Sequence, residues 1–122
     1  MPRKESILKL KTETFAIRII KLYQFLIREH NETVMSKQIY RSGTSIGANV
    51  AESINAQSHA DFINKLSIAL KEANETEYWL KNLYAAKLLD DYGFQSLQKD
   101  NEEIIKMLVS SIKTMKQKLN IL

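Results

Sequence analysis

Cysteine is absent from the 122-residue chain, proline occurs once, as Pro2, and glycine only three times. A chain without cysteine has no disulfide, no thiolate metal site and no thiol nucleophile. No stretch approaches the roughly 18 apolar residues that a membrane span requires. Met1-Pro2-Arg3-Lys4-Glu5 is basic and lacks the apolar core of a signal peptide. A cytoplasmic location is therefore expected. Sheet proteins turn often, and their turns draw on Gly, Pro, Asn and Asp. So few breakers point instead to long helices.

What is present is ordinary for a folded domain: 44% hydrophobic and 26% charged residues. The length suits one domain over residues 1–122, with residues 1–10 expected to be a loosely held N-terminus. The net charge is +4, and the pI is about 9.3. That charge is unevenly spread. Residues 1–50 carry nine Lys/Arg against four Asp/Glu, residues 51–103 five against ten, and residues 104–122 four against none. Such polarity suits attraction to nucleic acid, or the meeting of one subunit's basic face with another's acidic face.

Four amphipathic segments account for most of the chain. Phe15, Ile19, Leu22 and Leu26 mark one face of a helix over about Thr12 to Glu32. The second helix is expected from Ser36, as N-cap, to Asn55, with Ile39, Gly43, Ile46, Val50 and Ile54 inward. Its two glycines each cost roughly 1 kcal/mol relative to alanine, so they imply close backbone approach; the alternative is a break at Ser42-Gly43-Thr44. The third helix is expected from Ser58 to Leu89, opened by a Ser58/Asp61 capping pair. Phe62, Leu66, Ala69, Ala73, Thr76, Leu80 and Leu83 hold a four-three alternation typical of coiled-coil-like packing. Asp90-Asp91-Tyr92-Gly93 reads as the turn that ends it. The fourth runs from about Leu97 to Leu119, with Leu97, Asn101, Ile104, Leu108, Ser111 and Met115 on one stripe, widened by Ile105, Ile112 and Leu119. Four helices with short connections predict an all-α, antiparallel up-down-up-down bundle, in which the fourth helix lies beside the first.

Catalytic signals are lacking. The two histidines, His30 and His59, have no His partner one turn away, and Ile27 and Ala56 stand where a Glu-x-x-His metal motif would need glutamate. Glu72, Glu75 and Glu77 are close in sequence, but nothing supplies an acid/base partner or a pocket to separate their pKa values. No phosphate-cradling glycine loop or nucleophile elbow occurs. The expectation is a protein that is not an enzyme, with no metal, no cofactor and no small-molecule substrate.

Binding surfaces are the better candidates. On the second helix Arg41, Ser45, Ala48 and Glu52 fall on one line, with Asn49 beside it, opposite the apolar face. A ridge of small residues lets another helix or a phosphate backbone approach closely. On the third helix Trp79 flanks the apolar seam with Ile68, Glu72 and Glu75. It either covers the edge of the core or anchors a partner, since Trp is enriched in hot spots. Arg41, Ser45, Asn49, Glu52, Glu72, Glu75 and Trp79 are therefore candidates for an oligomer interface. Lys11, Arg18, Lys21 and Arg28 of the first helix, with Lys106, Lys113 and Lys116 of the fourth, are candidates for nucleic-acid binding if two neighbouring basic faces merge. The bland alternative for every one of these is a solvated polar surface.

Residues 41–52, RSGTSIGANVAE, and 61–80, DFINKLSIALKEANETEYWL, together with Ile105 to Lys113, closely resemble the four-helix-bundle proteins encoded in intervening sequences of bacterial 23S ribosomal RNA genes. The resemblance extends over nearly the whole chain. It implies an antiparallel four-helix bundle that assembles into a homopentameric ring without known catalytic activity. Members are encoded both inside ribosomal RNA intervening sequences and as stand-alone genes. A more distant relative is the basic pentameric accessory protein of diversity-generating retroelements, which works with a reverse transcriptase. The resemblance thus implies self-association and RNA or a nucleoprotein as partners; the alternative is a protein–protein adaptor with no nucleic-acid contact. A head-to-tail ring needs two different faces per subunit, and Arg41 with its ridge is expected to oppose the Glu72/Glu75/Trp79 flank.

Overall fold

The computed structural model describes the backbone of residues 3–121 and the side chains of residues 6–120. It contains α1 (Arg3–His30), α2 (Met35–Ile54), α3 (His59–Ala85) and α4 (Asp91–Ile121), with no strand among the described residues. Connections of only four, four and five residues (31–34, 55–58 and 86–90) force each helix to return beside the last. Contacts join α1 to α2, α2 to α3, α3 to α4 and α4 back to α1, with no diagonal pair among the described residues. This is the expected up-down-up-down bundle.

The four apolar stripes converge on one core. Phe15, Ile19 and Leu26 of α1, Ile39, Ile46 and Val50 of α2, Leu66, Leu80 and Leu83 of α3, and Ile104 and Leu108 of α4 are all essentially inaccessible to water. Burying a side chain of this size contributes roughly 1.5–3 kcal/mol, so the bundle is held chiefly by these contacts. The α2–α3 seam also carries polar links. Thr76 and Ser42 are buried and joined through their hydroxyls at 2.9 Å. Between α3 and α4, the buried Asn101 amide donates to the Ala73 carbonyl at 2.9 Å.

The glycines of α2 sit where α1 crosses it. Helix α2 runs unbroken through Ser42-Gly43-Thr44. A Cβ added at Gly43 would lie 2.7 Å from Ile19 Cγ1, and one at Gly47 would lie 3.3 Å from the Thr12 carbonyl oxygen. Gly43 has no room for a side chain, whereas at Gly47 an added Cβ would press on the α1 backbone by a few tenths of an ångström.

Several helix ends fall elsewhere than the sequence suggests. Helix α1 begins at Arg3 rather than Thr12, and Leu8 joins the core one heptad before Phe15; of the segment expected to be loosely held, residues 1–2 lie outside the described residues. It stops at His30, with Asn31 in the left-handed region (φ 52°). Ser36 is not the N-cap of α2, because it lies inside the helix and is buried. Glu32 takes the capping role from outside: its carboxylate accepts from the backbone N–H of Val34, Met35 and Ser36 at 2.7–2.8 Å. Ser58 does cap α3, accepting from the Asp61 N–H at 3.0 Å, while the Asp61 carboxylate accepts from the Gln57 N–H at 3.2 Å. Helix α3 closes four residues early, on Lys87 (φ 62°), with Leu88 N–H bonded to the Leu83 carbonyl and Lys87 N–H to that of Tyr84. That six-to-one pattern is a Schellman ending built on lysine instead of glycine. Asp90-Asp91-Tyr92-Gly93 consequently opens α4, with the Asp90 side chain accepting from the Gly93 N–H at 2.7 Å.

Burial alone would push the Glu32 carboxyl up. The N–H groups of Met35, Ser36 and Val34, helped by the Ser36 hydroxyl, outweigh it and hold the carboxyl below its ordinary value near 4.5. A folded-state pKa below the unfolded one means the cap's stabilisation is complete above about pH 4.5 and is lost as pH falls through the folded value. Glu32→Gln is expected to cost about 1 kcal/mol at neutral pH. It should also flatten this part of the acid limb in urea titrations repeated across pH.

Candidate interaction surfaces

Three edges of the bundle carry the candidate residues. On the α2/α3 edge all seven interface candidates come together. Arg41 donates to the Glu72 carboxylate at 3.1 Å and also pairs with Glu75. Glu52 lies 3.9 Å from Lys65. The Ser45 hydroxyl bonds the Arg41 carbonyl, and the Asn49 amide donates to the Ser45 carbonyl at 2.9 Å. Arg41 and the Glu72/Glu75 flank were expected on opposing faces that meet between subunits. They instead form one ion-paired cluster within a single chain, because α2 and α3 are neighbours. Glu72 is only 8% exposed, and Arg41 is the cation that meets its carboxylate. Trp79 packs against the core edge, with its indole nitrogen out of solvent contact and without a hydrogen-bond partner among the described residues.

The α1/α4 edge departs further from expectation. Lys11 reaches Glu103 at 2.8 Å, and Arg18 reaches Asp100 at 2.6 Å and Ser96 Oγ at 2.9 Å. The hydrogen bond to Glu103 holds the Lys11 ammonium above its ordinary pKa, and the same bond lowers that of Glu103. These two cations are thus already answered by acids of the neighbouring helix. Arg28 pairs with Glu29 at 3.0 Å. At about 100° per residue, Lys113 and Lys116 turn away from Asp100 and Glu103, outward and toward α3, whereas Lys106 lies one turn after Glu103 and close enough to help lower its carboxyl. The α1 and α4 basic faces therefore do not merge. Lys21, Lys106, Lys113 and Lys116 are in no ion pair among the described residues.

One surface was missed by the sequence reading. Ile7, Leu10 and Ile17 on the outer side of α1 are 42%, 65% and 55% exposed. With Thr14, Lys21 and Gln24 they follow three-four spacing, a second seam turned away from the core. The spacing was legible, but the stronger stripe through Phe15 masked it. This seam and the α2/α3 edge lie on opposite sides of the bundle.

On the α3/α4 edge, Leu70, Val109 and Ile112 floor an open groove of about 380 Å³, bounded by Lys113, Lys116, Gln117 and Asn120. At the end of the bundle where α1 and α3 finish, a shallow cleft is walled by Phe25, His30, Tyr84 and the Lys87–Asp91 turn. His30 stands edge-on to Phe25, with ring centroids 5.3 Å apart; His59 is the first residue of α3. Among the described residues no group of three or more His, Asp or Glu is placed to hold a metal ion, and no helix is long and apolar enough to cross a membrane.

A crystal structure described as a protein of unknown function from the S23 ribosomal protein family, from Bacteroides thetaiotaomicron, superposes with a TM-score of 0.89 at 56% identity. The match covers 90% of this chain and 98% of the other. No curated protein matches the sequence. Residues 4–110 match the family described as 23S rRNA-intervening sequence protein. The Arg41–Glu52 ridge and the α3 seam lie within that span, and the chain belongs to the 23S rRNA-intervening sequence protein family.

Proposed function

We propose that the chain is a non-enzymatic, cytoplasmic scaffold that assembles head to tail into a ring and presents binding surfaces on the edges left free. The observation that carries this reading is the pairing of two unlike faces across the bundle. The exposed Ile7/Leu10/Ile17 seam of α1 stands opposite the small-residue ridge of Ser45, Ala48 and Asn49 beside half-exposed Ile68. A helix seam of this kind needs a close partner surface, and small residues let one approach. Unlike faces generate heterologous contacts, which form a ring when the rotation between subunits closes and a filament when it does not; family resemblance favours closure at five subunits. Leu10→Glu with Ile17→Glu, and separately Ala48→Arg, are expected to reduce the assembly to the 14.1 kDa chain in light scattering. If all these variants keep the parent mass, assembly runs through other surfaces.

A second reading, contact with an RNA backbone, is favoured by Lys21, Lys113 and Lys116, which are in no ion pair among the described residues, and by Lys106, which only neighbours the already paired Glu103. With Lys11 and Arg18 already paired, fewer phosphates are neutralised per subunit. Binding should then weaken with salt less steeply than seven free cations would give.

A further inference from the structure

We propose that the α3/α4 edge is a docking groove for an amphipathic helix with an acidic polar face, supplied by a partner protein. The groove combines an aliphatic floor with a basic rim and has none of the aromatic side chains on which bases stack among its lining residues. Its floor is apolar: Leu70 of α3 faces Val109 and Ile112 of α4, and Val109 is 48% exposed. Lys113 and Lys116 of α4 line its rim, and neither is in an ion pair among the described residues. The α4 lining from Val109 to Asn120 runs about 16 Å, or three helical turns.

The cations of the α1/α4 edge are answered by Glu103 and Asp100, whereas this groove has no acid of its own among its lining residues. A phosphate backbone would satisfy the lysines and leave Leu70, Val109 and Ile112 wet. An apolar ligand would cover the floor and strand the charges. An amphipathic helix sets apolar side chains at i, i+3, i+4 and i+7 into such a groove, and carboxylates beside that stripe reach the lysines. Lysine stems that cover apolar surface while the ammonium stays in water suit this rim. The α3/α4 edge is neither of the two faces assigned to assembly, so a ring would leave it open, one groove per subunit.

The test uses the full chain and two synthetic helical peptides that share a leucine stripe, one flanked by glutamates and the other by lysines. The acidic peptide is expected to bind at least tenfold more tightly than the basic one. Val109→Asp and Lys113→Glu/Lys116→Glu should each weaken it about tenfold or more while circular dichroism stays unchanged. Equal binding of both peptides, no binding, or indifference to Val109→Asp would overturn the proposal. A structured RNA that displaces the peptide and responds to the lysine changes but not to Val109→Asp would assign the surface to phosphate instead. Light scattering on the same samples separates this from the assembly reading. The groove variants should keep the parent mass, and a fall in mass would make the groove a contact between copies, which also overturns it.

Discussion

Gly43→Val is expected to destabilise the bundle by about 3 kcal/mol or more, measured by urea denaturation. A Cβ at this position falls 2.7 and 2.9 Å from the two Cγ atoms of Ile19, well inside van der Waals contact. Ile19 is fully buried and, being β-branched in a helix, has essentially one χ1 rotamer available. It cannot swing aside, so α1 and α2 must separate and lose contact along their seam. Gly43→Ala should also destabilise, by about 1 kcal/mol net, even though alanine is the better helix former by a similar amount. Ile19→Ala removes the clashing atoms, at the cost of its own cavity. In the Gly43→Ala/Ile19→Ala double variant the two losses should therefore sum to clearly more than the measured effect. A neutral Gly43→Val would show that the helices are not in close approach there.

Arg41→Ala is expected to cost about 2 kcal/mol, because it leaves the nearly buried Glu72 carboxylate without its charged partner. Arg41 itself is half exposed, so the loss should fall short of the 3–5 kcal/mol typical of a fully buried pair. Adding Glu72→Gln should recover most of it, since the nearly buried carboxylate is then neutral and Glu75, which also loses Arg41, is about a third exposed and keeps water. The same rescue would not follow if Arg41 acted only as a surface group. Any change in assembly mass that survives the rescue reports on the α2/α3 edge as a contact surface, separately from fold stability.

The core was legible because its information is local. Apolar residues at three-four spacing identify a buried face whatever lies opposite, and each stripe from Phe15 to Leu108 went inward. Only the ends of the stripes loosened, as at exposed Leu119. The glycines of α2 were readable for a related reason: a helix that keeps them carries a cost that close packing explains. Helix ends were less legible where the device had an unusual sequence. Glu32 caps α2 from a position outside it, and Lys87 holds the left-handed residue that glycine usually signals. Asp90-x-x-Gly93 fits a turn and an N-cap equally well, and only the neighbouring stop of α3 decides between them.

Charge pairing was not legible, because it depends on how each helix is rotated against its neighbour. The basic, acidic and basic thirds of the sequence suggested surfaces seeking external partners. In the folded chain Arg41, Lys11 and Arg18 find their acids at home, on the helix beside them. What remains unanswered is narrower: an apolar seam on α1, and an apolar groove rimmed by Lys113 and Lys116 on α4. Those leftovers bear the functional reading.

Static light scattering of the unmodified chain, followed from low to high concentration, addresses that reading most directly. Head-to-tail closure predicts one species near five times 14.1 kDa, unchanged over a wide concentration range. A particle that stays at the mass of a single chain throughout would contradict it.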